Sequence, residues 1–551
     1  MISKPTTLLR NARQGLPIFV VSLIWIVCVS ARAQTASLPA TGPYRIAGRV
    51  VNATTGEAVR KATVTALAEE DSHIVASVQA DADGQFHMDH MPAGKFPLTA
   101  SKRGFRTAFY DEHDDFNSAI VTGADQDTSH LVFQLVPGAV LHGVVTGDGG
   151  DRIESANVLL FQRQGDGARG DQIRQMEGTM TDDTGAYEFG NLAPGVYMVA
   201  VTAAPWYAMH PSAISGRSTI NDVSSPLDVA YPVTFFDSTT EEASASPVVL
   251  APGGREQADI NLHAVPALRL QVSAPRKGNG IVQPELRQMI FGMQVSAESA
   301  GTFDSQQSGM VSFNGIAPGH YELAQGDPLR VVELDAATSQ EVEPNIGTPA
   351  MNLTGTLSSA GGALPESVVL MLEPVGGHGR AGMQVNAHRG QFQFDAVAPG
   401  TWNIVAANQG QALQIVSVST GGSTVAGSQF TMKDRALAIV ATVSVTLTRV
   451  QGFARKDGKG MAGVMIVLVP RQPSAYEALV RRDQSDSDGS FSLRDVPPGQ
   501  YTVIAIEDGW KLDWNRRETI LRYLPHGVAV TVSDRSGTPI HLSDPVPVQP
   551  R

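Results

Sequence analysis

His87 and His90, in the stretch "HMDH", are the histidines spaced most like metal ligands in this 551-residue chain. A catalytic zinc site of the kind built on a His-x-x-Glu pair needs a distant His as well, leaving one position open for water. None of the 13 histidines has Glu three residues later, and two solvated histidines is the plainer reading of "HMDH". Asp81 and Asp83 in "DADG", and Asp486 and Asp488 in "DSDG", look like the start of a calcium loop. Such a loop needs about six oxygens and a closing Glu, which "DADGQFHMDHMP" does not supply. Asp111, Glu112, Asp114 and Asp115 crowd four carboxylates together, but glycoside hydrolysis needs two of them held apart across a cleft, and an acidic solvated loop accounts for them. Neither a Gly-x-Ser-x-Gly elbow nor a phosphate-cradling Gly-x-x-x-x-Gly-Lys occurs. The residues therefore offer no catalytic group, metal or cofactor, and the expectation is a protein that is not an enzyme.

What remains is a set of aromatics outside any strand pattern: Trp206, Tyr207, Tyr231, Phe235, Phe236, Trp510 and Trp514. A flat exposed ring can stack on the apolar face of a sugar. We take Trp206, Tyr207, Trp510 and Trp514 as candidate ligand contacts. For Trp510 and Trp514 the competing reading is packing of a short helix in "DWNRRETILRYL", where Asn515 and Glu518 have capping-box spacing and Ile520, Leu521 and Leu524 can dock it.

Composition limits the partners. Cys28 is the sole cysteine and lies within the apolar run "LPIFVVSLIWIVCVS", which follows Lys4, Arg10 and Arg13 and precedes Ala31-Arg32-Ala33. That is the pattern of a secretory signal peptide over residues 1–33, with an uncleaved anchor as the alternative. Cleavage would leave no cysteine, hence no disulfide and no thiol chemistry, and no transmembrane segment. It removes four basic and no acidic residues, so the net charge of -13 falls to -17. Nucleic acid and anionic membrane surfaces are poor partners for such a chain. Export, to the periplasm, the outer-membrane surface or the medium, is the expectation.

The elements that must position any site come from a repeat. Aligned on their first glycine, five segments run "GQFHMDHMPAGKFPL" from Gly84, "GAYEFGNLAPGVYMV" from Gly185, "GMVSFNGIAPGHYEL" from Gly309, "GQFQFDAVAPGTWNI" from Gly390 and "GSFSLRDVPPGQYTV" from Gly489. A second glycine follows ten residues later in each, and two residues beyond it stands an aromatic: Phe96, Tyr197, Tyr321, Trp402 and Tyr501. Aromatics are only 6% of residues, so five coincidences mean a true repeat. Alternating apolar residues after the first glycine predict a half-buried strand. The Asp-rich segment before it predicts a hairpin turn, and Pro-Gly predicts a type II turn into the next strand. Upstream, "IAGRVV", "LHGVVT", "LTGTLS" and "VQGFAR" predict a further strand, whose third counterpart, "LRLQVS", lacks the glycine. The first glycines are 101, 124, 81 and 99 residues apart, a whole domain per copy rather than a solenoid turn. Linking stretches such as "TSHLVFQLVPGAVLHGVV" leave almost no spacer, which predicts a semi-rigid string.

"GRVVNATTGEAVRKATVTAL", "DADGQF" and "PAGKFPLTASKRGF" together resemble the carboxypeptidase regulatory-like domain. The whole chain resembles tandem proteins of the exported acidobacterial type. The resemblance implies an all-β chain of five tandem small antiparallel Greek-key β-sandwiches, transthyretin-like or starch-binding-like, with one short C-terminal helix. The expected sandwiches span 42–135, 136–265, 266–345 (degenerate), 346–447 and 448–551. It also implies a non-catalytic role, since the matching motif consists of turns and core positions. The function expected is binding, with polysaccharide or glycan as leading ligand. The alternative is a spacer, adhesion stalk or accessory to an outer-membrane receptor that binds cell-envelope proteins.

Overall fold

Each Asp-rich turn is closed by its own side chain. Asp81 Oδ1 accepts the backbone N–H groups of Asp83 and Gln85 at 2.9 and 2.8 Å, and Asp182 Oδ1 accepts those of Thr184 and Ala186, each at 2.9 Å. The glycine that ends the turn has positive φ, 77° at Gly84, 71° at Gly185 and 83° at Gly489, as does Gly390, at 77°, in the copy without the aspartates. Its carbonyl accepts a bond from the upstream strand, for instance from Val50 N at 2.8 Å. A Cβ at Gly84 would lie 2.5 Å from the Val50 carbonyl oxygen, so both conformation and space demand glycine here.

The computed structural model describes residues 42–166, 170–210, 225–273, 276–277, 280–295, 302–303, 310–343, 346–375, 383–408, 412–533 and 538–551. The signal-peptide expectation, with Cys28, and Gly309 lie outside them. The chain from Ala40 onward forms one unit built almost wholly of strands. Of the seven hydrophobic clusters among the described residues, five are sandwich cores, each assembled from its own stretch: Ile46 to Leu135, Ala139 to Leu262, Leu268 to Val342, Leu353 to Val445 and Val450 to Val546. These are five tandem β-sandwiches.

The first shows the plan. One layer orders Gln85–Met91, Tyr44–Asn52 and Leu131–Leu135; the other orders Ile74–Gln79, Thr63–Leu67, Leu98–Ser101 and Ala108–Phe109. The strands on either side of the Asp turn, Ile74–Gln79 and Gln85–Met91, thus belong to different layers. The turn is a corner between sheets, where a hairpin was expected. The Pro-Gly segment is a second crossing of the same kind: Ala186–Leu192 and Gly195–Thr202 also lie in opposite layers. A type II turn needs φ near +80° at its glycine, but φ is 156° at Gly94 and 145° at Gly400, so the type II expectation is overturned. In every sandwich the opening strand is antiparallel to the strand that follows the first glycine of the repeat and parallel to a closing strand, as in Gly48↔Leu131 to Asn52↔Leu135.

A bulge marks the end of each post-turn strand. The register slips by one residue between Tyr44/Ile46, Ala139/Leu141, Leu268/Arg269, Met351/Leu353 and Thr448/Val450. The partner strand has a left-handed residue there in all five copies: His90, Asn191, Gly315, Ala396 and Asp495, with φ between 52° and 74°. Beyond it, the repeat's second aromatic is buried: Phe96 is 5% exposed and Trp402 1%. Its polar tip is used wherever it has one. Tyr197, Tyr321 and Tyr501 donate their hydroxyls to Ala193, Ala317 and Pro497 carbonyls at 2.8 to 2.9 Å, and Trp402 Nε1 donates to Ala398 at 3.0 Å. Phe96 has no such tip, and in the first sandwich the Thr122 hydroxyl reaches the corresponding Pro92 carbonyl at 2.5 Å.

The short C-terminal helix covers Arg517–Leu521, with Ile520 fully buried and Leu521 39% exposed. Its N-cap is Arg516, one residue after the Asn515 that the capping-box spacing with Glu518 predicts. A single helical turn, Tyr476–Leu479, precedes the strand Arg481–Gln484.

Candidate functional site

Trp206 and Tyr207 leave the second sandwich just after the strand Gly195–Thr202, beyond buried Pro205. Trp206 is 88% exposed, the largest value among the exposed large hydrophobic side chains. Tyr207 stands at right angles to it, ring centroids 5.7 Å apart with an interplanar angle of 88°. The neighbouring Tyr231 hydroxyl has its pKa pushed up to about 12, first by burial and then by Tyr207. Close by in the chain, Met209 N donates to the Leu227 carbonyl at 2.8 Å, and both side chains are exposed, 62% and 41%. His210 Nδ1 lies 2.9 Å from Asp228 Oδ1. Tyr231 and Phe235, two of the aromatics outside the strand pattern, are 7% and 3% exposed: Tyr231 serves the core of the second sandwich, and Phe235 a cluster that also takes in Ile290 of the third.

Trp510 and Trp514 are placed differently. Both pack on the cluster of Met465, Val467, Tyr476 and Ile520 beside the short helix. Trp510 Nε1 donates to the Gly463 carbonyl at 3.0 Å. Its ring is stacked on His113 of the first sandwich, centroids 5.3 Å apart and 10° between planes, with Phe116 at 5.7 Å. The Arg482 guanidinium lies 3.7 Å from the Trp514 ring centre and bonds Asp114 at 2.9 Å. These rings have the packing role that competed with ligand contact, and the surface they pack against is another sandwich.

That contact is more extensive than two tryptophans. Lys95 Nζ lies 2.6 Å from Asp486 Oδ2, with the two side chains only 26% and 13% exposed. Asp486 Oδ1 accepts Ala119 N at 2.9 Å, Val121 N donates to the Ser487 hydroxyl at 2.8 Å, and Gln484 Nε2 donates to the Ser118 hydroxyl at 2.9 Å. Burial pushes the Asp486 carboxyl above its ordinary value in spite of Lys95, whereas burial, which would lower the Lys95 ammonium, is outweighed there by Asp486 and its acidic neighbours, which hold it above its own. Asp111 and Asp114, two of the crowded carboxylates, are thus occupied: Asp111 by Gln484 and the Ser118 hydroxyl, Asp114 by Arg482. Sequence reasoning had no signal for this clasp between first and fifth sandwiches, since Asp486 reads there as one more turn residue.

His87 points outward, 3.8 Å from Asp89, and His90 occupies the bulge. Among the described residues no group of three His, Cys, Asp or Glu is arranged to hold a metal ion. Nor is any helix among them long and apolar enough to cross a membrane.

The class defined by this geometry is a tandem β-sandwich protein whose repeated motif builds corners and cores. Residues 45–136 match the family of the carboxypeptidase regulatory-like domain. Residues 448–523 match the BOS complex subunit NOMO1-like, second beta sandwich domain. No curated protein matches the chain. Among solved structures, the Bacillus anthracis TIE protein is 12% identical, covering 87% of this chain and 67% of its own, with a TM-score of 0.15. GBS52, the minor pilin of Streptococcus agalactiae, is 11% identical over 43% of this chain and 99% of its own, with a TM-score of 0.20. The shaft pilin SpaA of Lactobacillus rhamnosus GG is 9% identical over 40% and 96%, also with 0.20. Scores that low carry no inference about arrangement or function.

Proposed function

We propose that this chain is an exported, non-catalytic binding protein in which sandwiches bounded near 42–135, 136–265, 266–345, 346–447 and 448–551 act as a scaffold, and that Trp206 with Tyr207 contacts carbohydrate. The observation that carries the reading is the Trp206 ring, 88% exposed and braced by a perpendicular Tyr207. A large ring left in water by a chain that buries the five aromatics of its repeat is available to stack on the apolar face of a pyranose. Trp510 and Trp514 support the scaffold in this reading, since their faces are taken by His113 and Arg482.

Retention of the full chain on insoluble and soluble polysaccharides tests the idea. Binding weakened about tenfold or more by Trp206→Ala, with Trp510→Phe unchanged, is the expected result. Absence of binding to every glycan tried, with capture of envelope proteins intact, would favour the alternative of a spacer or receptor accessory.

A further inference from the structure

The second and third sandwiches share an apolar seam: Phe291 meets Phe161 and Phe235 edge-on, with centroids 5.0 and 5.1 Å apart. At its mouth the seam opens into a cleft of about 620 Å³. This is within the range of roughly 300–1,000 Å³ typical of small-molecule sites, which favour domain junctions. Buried Val233, Phe235 and Met289 contribute apolar surface to it. Glu241, Glu242 and Asp335 stand around them, and no lysine or arginine is among the described residues lining the cleft. Glu242 is fixed by accepting Phe291 N at 2.7 Å, which ties a carboxylate of one sandwich to the backbone of the other. Asp335 is paired with His320, another lining residue.

An apolar floor under three carboxylates selects for a molecule with an apolar body and a positive head. An anion meets repulsion there, and a neutral molecule leaves Glu241 and Glu242 without a counter-charge, Asp335 alone having His320. We propose that this cleft binds a small organic ammonium ion, its apolar part on Val233, Phe235 and Met289 and its ammonium group among Glu241, Glu242 and Asp335. The proposal is independent of carbohydrate binding at Trp206.

Calorimetric titration of the full chain with three probes of matched shape decides it: 2-phenylethylammonium, 2-phenylethanol and 3-phenylpropanoate. The ammonium ion is expected to bind about tenfold more tightly than the alcohol, and the carboxylate not at all. Glu241→Gln with Asp335→Asn should weaken the ammonium ion about tenfold, added salt should weaken it further, and Trp206→Ala should leave it unchanged. Both substituted side chains are exposed, so folding is preserved, and the single Glu241→Gln variant serves if the pair is destabilised. Failure of the ammonium ion to bind, equal binding of all three probes, or undiminished binding by the double variant would each overturn the proposal.

Discussion

At the scale of single residues, the repeated aromatic carries two duties that its position in the sequence shows only in part. Its burial was legible, because Phe96, Tyr197, Tyr321, Trp402 and Tyr501 recur in a strict frame. Its hydrogen bond was not. The acceptor is a carbonyl four residues upstream, at Ala193, Ala317, Ala398 or Pro497, and any residue type presents a carbonyl. Tyr501→Phe removes the donor and leaves the Pro497 oxygen buried, at a cost of about 1 kcal/mol. Hydrogen exchange in the strand Gly499–Ile506 should quicken correspondingly, with the other sandwiches unaffected. Phe96→Tyr is expected to bring no matching gain, since Thr122 already serves Pro92. Among candidate site residues, the same limit of legibility applies: Trp206 and Trp510 are indistinguishable as letters, and only the partner surface of His113, Phe116 and Arg482 separates them.

At the scale of elements, the strand Arg481–Gln484 shows how alternation divides labour. Arg482 and Gln484 reach the first sandwich, whereas Asp483 turns to its neighbour strand and accepts Ser492 N at 2.6 Å. Burial pushes the Asp483 carboxyl up to about 7, against the lowering effect of the Ser492 and Gln484 N–H groups. Because the folded value lies above the unfolded one of 3.8, the proton stabilises the folded state. That contribution is whole below pH 4 or so and is lost as pH rises through about 7. Thermal unfolding followed between pH 5 and 8 should therefore show a fall in Tm with rising pH, and Asp483→Asn, which keeps the acceptor for Ser492, should flatten it. An unchanged slope in the variant would place the titrating group elsewhere, with Asp486 next, since its burial acts in the same direction. The strands themselves were plain from period-2 alternation. The corners were not, because a turn sequence fixes the local backbone and leaves open which sheet receives the next strand.

For the molecule as a whole, repetition made the count of sandwiches readable and concealed the contact that joins the two ends. The clasp is made by residues that do not recur, such as His113, Asp114, Phe116, Arg482 and Trp510, together with Asp486, whose counterparts Asp81 and Asp182 serve their own turns. No comparison among copies can reveal an interaction that each copy makes only once. The likeness to a regulatory-like domain over 45–136 likewise describes one sandwich and leaves the junctions to the structure. Those junctions hold the seam between second and third sandwiches and the Arg481 to Gln414 bond, 2.6 Å, between fourth and fifth.

The parallel pairing of opening and closing strands has a mechanical meaning. Where two neighbouring strands run the same way and the chain enters by one and leaves by the other, tension on the ends slides them past each other and loads their hydrogen bonds together in shear. The fourth sandwich has the longest such pair, Leu353↔Leu437 through Ala360↔Ser444, while the fifth divides its pairing between Val450↔Ile540 and Ala454↔Val546 and their next neighbours. Stretched between its termini in a single-molecule force experiment, the protein should first part the clasp between first and fifth sandwiches, after which the fourth sandwich should be the last to rupture and the fifth among the first.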